Sequence, residues 1–300
     1  MKNYYEIIDE NKFKSNIVIA SFIVFISLSV YLISYALGYN SSAVVFAVIL
    51  SSVGSIGSYY YSDKIVLTMS GARPATKKEF FNFYTVTENL IGLAGVPMPK
   101  LYVIDDTAMN AFATGRDPEH AVICATTGIL DRLTRSELEG VIAHELSHVK
   151  NYDIRLMSII TVLVGTVTLL ADWLLRFSFG GRRNRDEDGG NLGIFLFVAG
   201  LIMALLSPIV AQLIQLAVSR RREFFADAGS VSLTKHPEGL IRALEKITSD
   251  TEPLEAANKA TAHLYIADPL KNRKDSVGWF ASLFNTHPPI KDRIKALQGL

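Results

Sequence analysis

The sequence has little of what would indicate a disulfide-stabilised or a nucleic-acid-binding protein. It contains a single cysteine, which excludes an intramolecular disulfide framework and a cluster of thiolate metal ligands. Cys124 stands in an apolar stretch, and the sequence predicts a small buried hydrophobe there. The formal net charge is only +1, and no run of basic residues alternates with aromatic ones, so no nucleic-acid partner is expected.

Long stretches of the chain also contain few charged residues, because much of the sequence consists of apolar segments. The segments comprise residues 15–37, 42–61, 156–177 and 192–218. Each approaches or exceeds the ~20 residues that cross the hydrocarbon core of a bilayer. The first has no small-residue cleavage site before the next apolar run, which favours a retained span over a signal peptide. The second is weakened by serine and glycine, so a re-entrant or buried core helix is an alternative there, but the pattern as a whole predicts a lipid-bilayer protein with four transmembrane helices.

The placement of lysine and arginine predicts the orientation of these spans. Basic residues stand before the first span, after the second, before the third and after the fourth. The connection between the first two spans, residues 38–41, carries no charge. This pattern puts the regions outside the hairpins in the cytoplasm, although the arginine-rich, glycine-rich loop 179–191 falls on the other side.

The region between the two predicted hairpins has the pattern of a small mixed α and β unit. A helix is predicted at 77–93, and short strands at 101–104, 110–114 and 121–125 are separated by Asp, Gly and Pro turn signals. The region after the last span is mostly helical, with a weaker loop near 268–276 and a final helix opened by consecutive prolines. The expected class is therefore α+β, mainly α, with a small β-sheet.

The most informative motif is the H-E-x-x-H string formed by residues 144–148. His144 and His148 are four residues apart, so a helix would project both imidazoles from one face toward one zinc ion. Glu145, beside the first histidine, could then take a proton from an attacking water. Thr134 and Glu137 form a capping-box pattern that begins such a helix. The motif predicts the zinc site of a protease.

A catalytic zinc usually has a third protein ligand, and here the sequence offers carboxylates. Glu223 follows three arginines at the end of the fourth span, and Asp227 comes four residues later on the same helical face. That spacing would let Glu223 bind the metal while Asp227 accepts a hydrogen bond from a ligand imidazole. An interfacial anchor made of the arginines and Glu223 is an equally good interpretation of the residues alone. Asp153 is a weaker rival ligand and fits a helix end or a hydrogen-bond acceptor better.

The combination of motifs resembles the M48 family of membrane zinc metalloproteases. Its elements are H-E-L-S-H, then R-E-F-F-A-D after a pair of spans, then N-A-F-A-T-G at 110–115 and T-H-P-P at 286–289. The resemblance runs over nearly the whole chain. It implies a cytoplasmic zincin-like (gluzincin) protease domain in which one Zn²⁺ is held by His144, His148 and Glu223, with Glu145 as the general base.

The resemblance also implies a cellular role and a division of the chain. The expected function is endoproteolysis of damaged or misfolded membrane proteins in the bacterial plasma (inner) membrane, with the catalytic site facing the cytoplasm. The expected regions are a tail with the first hairpin (1–62), a protease region with the sheet and the motif helix (63–154), the second hairpin (155–219) and a helical region with the third ligand (220–300). A catalytically silent, zinc-containing chaperone or scaffold is the alternative, and Glu145 argues against it because a structural site needs no base.

Further residues acquire expected roles from the same resemblance. His287 is expected to stabilise the oxyanion, where one donor is worth about 2.7–4 kcal/mol in other enzymes, and Arg293 is expected to contact substrate. Without the resemblance, we would interpret His287 as a turn residue and Arg293 as a solvated helix charge. The strand at 110–114 is expected to pair with an extended substrate backbone if it lies at the sheet edge, and a strand inside the sheet is the alternative. Its expected substrate-binding residues are Asn110, Ala111, Phe112 and Ala113.

Overall fold

The computed structural model describes residues 4–36, 38–180, 220–258, 260–269 and 288–300. Its helices and strands, in chain order, are α1 (Tyr4–Ala36), α2 (Ser41–Tyr60), α3 (Ser62–Met69), β1 (Arg73–Pro74), α4 (Phe81–Ala94), β2 (Lys100–Ile104), β3 (Ala111–Thr114), β4 (Val122–Thr126), α5 (Thr127–Arg132), α6 (Arg135–Lys150), α7 (Asp153–Gly180), α8 (Arg220–Thr234), α9 (Pro237–Ser249) and α10 (Ile290–Leu297). Short 3₁₀ helices lie at Pro118–His120 and Ala262–Leu264. The chain is thus mainly helical with one small sheet, as the sequence predicts.

The sheet is mixed, and its strand order is β1-β2-β4-β3. β2 and β4 are parallel, whereas β1 and β3 pair antiparallel with their neighbours. Cys124 on β4 lies opposite both Tyr102 and Phe112, and it is fully buried as predicted, which raises the pKa of its thiol. The predicted strands agree with β2, β3 and β4 to within one residue at each end. β1 has two residues, too few to give an alternating pattern.

Two of the described helices are long and apolar enough to cross a membrane. Their candidate spans are Ile8–Leu32 in α1 and Ser41–Tyr60 in α2. The two helices pack on each other, and the hydroxyls of Ser27 and Ser52 hydrogen-bond at 2.9 Å, a polar contact typical of helix pairs in lipid. The second segment is therefore a long helix and not a short re-entrant turn.

The second predicted hairpin is only partly described. Its first segment, 156–177, falls within the continuous helix α7, whose 28 residues would extend about 40 Å at 1.5 Å per residue. α6 and α7 meet at 83° and would form a third span if they were counted as one broken helix. Nearly every residue of α6 from Leu138 onward is buried in the protein core. Most of the loop 179–191 and the whole segment 192–218 lie outside the described residues.

α6 begins at the predicted capping box. The hydroxyl of Thr134 accepts the backbone N–H of Glu137, and the Glu137 carboxylate accepts the backbone N–H of Thr134 at 2.8 Å. Lys246 of α9 donates to the same carboxylate at 2.7 Å. The helix ends at Lys150, and Tyr152 then takes a left-handed conformation with φ 60°. This residue makes the corner from which α7 starts.

α8 lies close to α6, and this approach positions the N-terminal end of α8 over the H-E-x-x-H motif. A Cβ atom added to Gly229 would come within 2.4 Å of the Ser147 hydroxyl, so only glycine permits the contact. One residue further on, Ser230 donates a hydrogen bond to the carbonyl of Gly140 at 2.8 Å. Because the two helices are locked at this distance, the first turns of α8 face the histidines of α6.

Candidate metal centre

Three potential ligand atoms converge where α6 faces α8. The Nε2 atoms of His144 and His148 are 3.2 Å apart. Oε2 of Glu223 lies 3.7 Å from His144 Nε2, and its Oε1 lies 3.5 Å from His148 Nε2. All three residues offer a ligand atom within 4.8 Å of the others. The third member is the residue that the helical spacing of R-E-F-F-A-D indicated.

The geometry of these atoms suits zinc. Ligands at 2.0–2.2 Å around a tetrahedral ion are separated from one another by about 3.3–3.5 Å. The two imidazole nitrogens are 3.2 Å apart, and Glu223 brings Oε1 to 3.5 Å from His148 Nε2 and Oε2 to 3.7 Å from His144 Nε2. These separations are close to those that a tetrahedral zinc requires. Two imidazole nitrogens and one carboxylate form a donor set used by catalytic zinc sites, which keep a fourth position for water.

Each histidine is oriented by a carboxylate on the opposite side of its ring. His144 Nδ1 lies 3.0 Å from Asp227 Oδ1, and His148 Nδ1 lies 3.0 Å from Asp153 Oδ2. When Nδ1 donates to a carboxylate, the Nε2 lone pair is left for a metal. Asp227 thus contacts a candidate ligand imidazole, as its helical spacing predicts, and Asp153 contacts the Nδ1 side of His148 as a hydrogen-bond acceptor.

Arg293 of α10 supports Asp227 from behind. Its Nε and Nη2 atoms donate to the two carboxylate oxygens at 2.9 and 2.6 Å, and Nη1 donates to the carbonyl of Ile266 at 3.0 Å. The arginine is completely buried. A guanidinium that binds one carboxylate through two parallel bonds fixes both its position and its charge.

The two histidines experience different electrostatic environments. Burial lowers the pKa of His144 to about 4. The hydrogen bond that His144 makes to Asp227 opposes this shift, and the positive charge of Arg293 adds to it. Burial alone would also lower the pKa of His148, but the hydrogen bond with Asp153 and the neighbouring carboxylates outweigh it and raise the value to about 9. The negative potential that favours a proton on His148 would equally attract a divalent cation.

Glu145 is buried beside the ligands, next to the sheet. Burial raises the pKa of its carboxyl group to about 7, with a further contribution from Glu223, while His148 and Arg293 oppose the shift. The backbone N–H of Ala113 on β3 donates a hydrogen bond to it. A carboxylate with a pKa near neutrality can both accept and release a proton at physiological pH.

A cavity opens onto these groups, and its wall has a polar half and an apolar half. The polar half is formed by the two histidines with Glu145, Asp153, Arg222 and Glu223. The apolar half consists of Ala113, Ile154, Met157, Leu264 and Ile266. An apolar wall beside a converging set of polar groups is the usual composition of a binding site for a small molecule or peptide side chain.

Comparison with known proteins assigns this arrangement to a family. The model of peptidase family M48 matches residues 78–300. This stretch contains every residue of the metal centre and of the cavity wall described above. The chain belongs to peptidase family M48.

Curated M48 relatives match almost the full length. The chain is 45% identical to the protease HtpX homolog of Dictyoglomus thermophilum, over 98% of this chain and 94% of that protein. It is 41% identical to the HtpX homolog of Caldanaerobacter subterraneus and 40% identical to that of Streptococcus uberis, each with at least 98% of both chains covered. Together with the apolar helices, these matches show a membrane metalloprotease, and the family implies a metal ion, usually zinc.

One solved structure has a similar fold. The crystal structure of S. mikatae Ste24p aligns with 93% of this chain at a TM-score of 0.50 and 20% identity. This chain spans 62% of the length of that protein. The similarity supports the arrangement of helices around the sheet.

Arg293 does not lie where the M48 resemblance led us to expect a substrate contact. It is fully buried behind Asp227 and is not part of the cavity wall. It is not the solvated helix charge of the alternative interpretation either. Its position on α10 gave no indication of burial, because its partners come from α8 and from Ile266, which are distant in sequence.

β3 lies at the sheet edge, as predicted, but part of that edge is already occupied by the chain itself. The side chain of Asn110 donates to the carbonyl of Ala267 at 3.0 Å, and the carbonyl of Ala111 accepts the N–H of Ile266 at 2.9 Å. We call residues 265–267 the covering segment, because they occupy this part of the edge. Phe112 is fully buried, with its ring packed against that of Tyr265. Ala113 is thus the one predicted strand residue that lines the cavity.

Other M48 site residues were missed or cannot be placed. His287 lies outside the described residues, so its expected role stays a prediction. Ile154 and Met157 were not predicted as cavity residues. They stand three apart directly after Asp153, and this helical spacing of apolar residues was the available signal. Leu264 and Ile266 carried no comparable signal, because Leu264 ends a short 3₁₀ helix and Ile266 lies in irregular backbone.

Proposed function

We propose that the chain is a zinc-dependent endopeptidase in which His144, His148 and Glu223 bind the metal and Glu145 is the general base. The observation that carries this proposal is the convergence of His144, His148 and Glu223, each of which offers one ligand atom within 4.8 Å of the other two. The carboxylates behind both imidazoles support it further, since they fix the tautomer that a metal requires.

The chemistry follows from the positions of the chain's own groups. A zinc ion, when bound, would polarise the scissile carbonyl and make a water molecule more acidic. The Glu145 carboxylate takes the proton of the attacking water and returns it to the leaving amine. The backbone of Ala113 pairs with the substrate next to the bond to be cut, and side chains flanking that bond enter the apolar half of the cavity. His287 is proposed as a donor to the developing oxyanion.

The proposed substrates are unfolded loops and tails of damaged membrane proteins. Asp153, which holds His148, starts the helix α7 and is hydrogen-bonded to Asn11 in the first turn of the candidate span Ile8–Leu32. This contact supports a position of the proposed metal centre near the level at which α1 would enter the bilayer. A substrate anchored in the same membrane would reach such a site at a high effective concentration.

The proposed topology has four spans in the bacterial plasma membrane, with the catalytic site in the cytoplasm. It is supported by the basic residues that flank the spans and by the bacterial sources of the curated relatives. The four regions expected from the sequence, 1–62, 63–154, 155–219 and 220–300, are proposed on the same basis.

The decisive experiment compares the wild type with Glu145→Gln in detergent, with zinc analysis and cleavage of an unfolded reporter tail. Gln cannot accept the water's proton, so cleavage should fall by at least ~100-fold while zinc content is unchanged. Glu223→Ala should lose both zinc and activity. Glu139→Gln is the matched control, since Glu139 lies on the same helix and pairs with Arg135, and it should retain activity.

The same assay tests the alternative function and the substrate class. A silent chaperone or scaffold would bind zinc but show no cleavage that depends on Glu145. The reporter tail is used both free in solution and anchored in the vesicles that contain the protease. Faster cleavage of the anchored tail is expected, and equal rates would contradict the proposed preference for membrane proteins.

A further inference from the structure

An asparagine of the first membrane helix reaches the metal centre from 140 residues away in the sequence. Asn11 lies in α1, at the start of the candidate span Ile8–Leu32. Its side chain is almost completely buried, with 4% of its surface exposed. A buried primary amide needs partners for both of its N–H groups, so the identity of those partners indicates what the residue does.

Both partners belong to the corner between the motif helix and α7. Asn11 Nδ2 donates to the backbone carbonyl of Asn151 at 2.9 Å and to Asp153 Oδ1 at 2.8 Å. The other oxygen of Asp153, Oδ2, faces His148 Nδ1 at 3.0 Å. An unbroken series of hydrogen bonds therefore runs from α1 through Asp153 to the imidazole that offers Nε2 to the metal.

The geometry of Asn11 restrains the rotation of the Asp153 carboxylate. One N–H group is attached to a fixed point of the backbone and the other to Oδ1, so the amide holds Oδ1 in place and leaves Oδ2 directed at the histidine. Being neutral, the amide does this without neutralising the negative charge that Asp153 presents to His148. Ser15, one turn further along and fully buried, donates to the carbonyl of Asn11 at 2.7 Å and fixes this part of α1.

We propose that Asn11 is a positioning residue of the metal centre, acting through Asp153 on His148. This inference rests on the proposed role of His148 as a zinc ligand. It makes the N-terminal membrane helix a part of the active-site framework, not only an anchor. Partners that orient a ligand indirectly typically contribute 10–100-fold to metal affinity or activity, and we expect about tenfold for Asn11, at the low end of this range.

The test compares Asn11→Ala with Asn16→Ala in the full-length protein. Asn16 is a matched control because it also joins α1 to α7, accepting a bond from Arg155 at 2.8 Å, but it is exposed and contacts neither Asp153 nor His148. The dissociation constant for Zn²⁺ is measured by competition with a chromophoric chelator, and the ligand field is read from the visible spectrum of the Co²⁺-loaded protein. Asn11→Ala should weaken zinc binding about tenfold and shift the Co²⁺ bands, whereas Asn16→Ala should change neither.

A double-mutant cycle distinguishes positioning from simple stabilisation. If Asn11 acts through Asp153, Asn11→Ala should have no further effect on zinc affinity in an Asp153→Ala background. Additive effects would overturn the proposal. So would a lower thermal midpoint of the metal-free Asn11→Ala protein with unchanged zinc affinity and Co²⁺ spectrum, because that result assigns Asn11 a purely structural role. Failure of the wild type itself to bind zinc would instead refute the proposed function.

Discussion

The two histidines of the metal centre are supported from opposite sides of the molecule by different chemistry. Behind His144, the charged guanidinium of Arg293 binds Asp227 through two hydrogen bonds of 2.9 and 2.6 Å. Behind His148, the neutral amide of Asn11 makes one bond of 2.8 Å to Asp153 Oδ1, and the Arg222 guanidinium lies 3.5 Å from the same oxygen. The first support belongs to α8 and α10 of the C-terminal region, and the second to helices that continue toward the membrane.

This difference indicates which histidine depends for its orientation mainly on the pairing of buried charges and which depends mainly on the placement of helices. The side chain of His144 is 1% exposed and that of His148 is 15% exposed. On the enclosed side, Arg293 and Asp227 must both be present, since either alone would be an uncompensated buried charge. On the other side, the orientation of Asp153 depends on the Asn11 amide, and so on how α1 and α7 meet, together with a looser ion pair to Arg222. The enclosed side should therefore dominate fold stability, and the membrane side should adjust metal affinity.

The largest effect is expected from Arg293→Met, which removes the charge on the enclosed side while nearly preserving side-chain volume. Asp227 would remain buried without its cation, so the free energy of unfolding of the metal-free protein should fall by about 3–5 kcal/mol. Denaturant titration followed by circular dichroism measures this change. Arg73→Met is the control, because Arg73 also binds a carboxylate with two bonds, of 2.7 and 2.9 Å to Asp105, but on the surface, where a much smaller loss of stability is expected. Equal losses in the two variants would remove the basis of the comparison.

A smaller effect should come from replacing either orienting carboxylate by its amide. Asp227→Asn and Asp153→Asn should each weaken zinc binding about 10–100-fold, which is the range for hydrogen-bond partners of metal-ligating histidines. Asp227→Asn should also lower stability, and by more than Asp153→Asn, because Arg293 binds Asp227 through two hydrogen bonds whereas Arg222 lies 3.5 Å from Asp153. Chelator competition and denaturant titration separate the two quantities. Complete loss of zinc in Asp153→Asn, with zinc retained in Glu223→Ala, would make Asp153 the third ligand.

The smallest effect is expected at the start of α6. This helix carries both histidines, so a change in its stability should affect both sides of the metal centre equally. Burial of Glu137 would raise the pKa of its carboxyl group, but hydrogen bonds from Lys246 and Thr134 outweigh burial and lower it. A lowered folded-state pKa stabilises the fold above the unfolded value of about 4.3, and this contribution disappears as pH falls through the folded value. Glu137→Gln should therefore cost about 1 kcal/mol at neutral pH and less in acid.

Unfolding of the metal-free protein at pH 7 and pH 3.5 measures this dependence. Glu139→Gln on the same helix serves as the control and should show no comparable change. A stability difference for Glu137→Gln that grew in acid would contradict the sign of the assigned pKa shift.

The sequence predicts those parts of the site that are set by local spacing. The i, i+4 histidines, the capping box at Thr134 and the pair formed by Glu223 and Asp227 are all features of single helices, and each appears in the structure as its helical spacing requires. β2, β3 and β4 were likewise recognisable from alternation and turn residues. In each case the informative residues are within a few positions of one another.

The remaining features depend on contacts between distant segments, which periodicity does not encode. Arg293 looks like any charge on a short terminal helix until α10 is placed against α8. Asn11 looks like a polar residue preceding a span, and its partners lie 140 and 142 residues away. The covering segment has no regular structure and so no pattern. Tertiary placement alone gives these residues their roles.

The covering segment also affects how the sheet meets other chains. The exposed edge of a sheet is a template for foreign strands and a common starting point of aggregation. Here the backbone of Ala111 is already paired with Ile266, while Ala113 is open to the cavity. A strand from another molecule that pairs with β3 at Ala113 would therefore do so inside the cleft, beside Glu145. A foreign strand bound at this edge would lie at the position of the proposed cleavage.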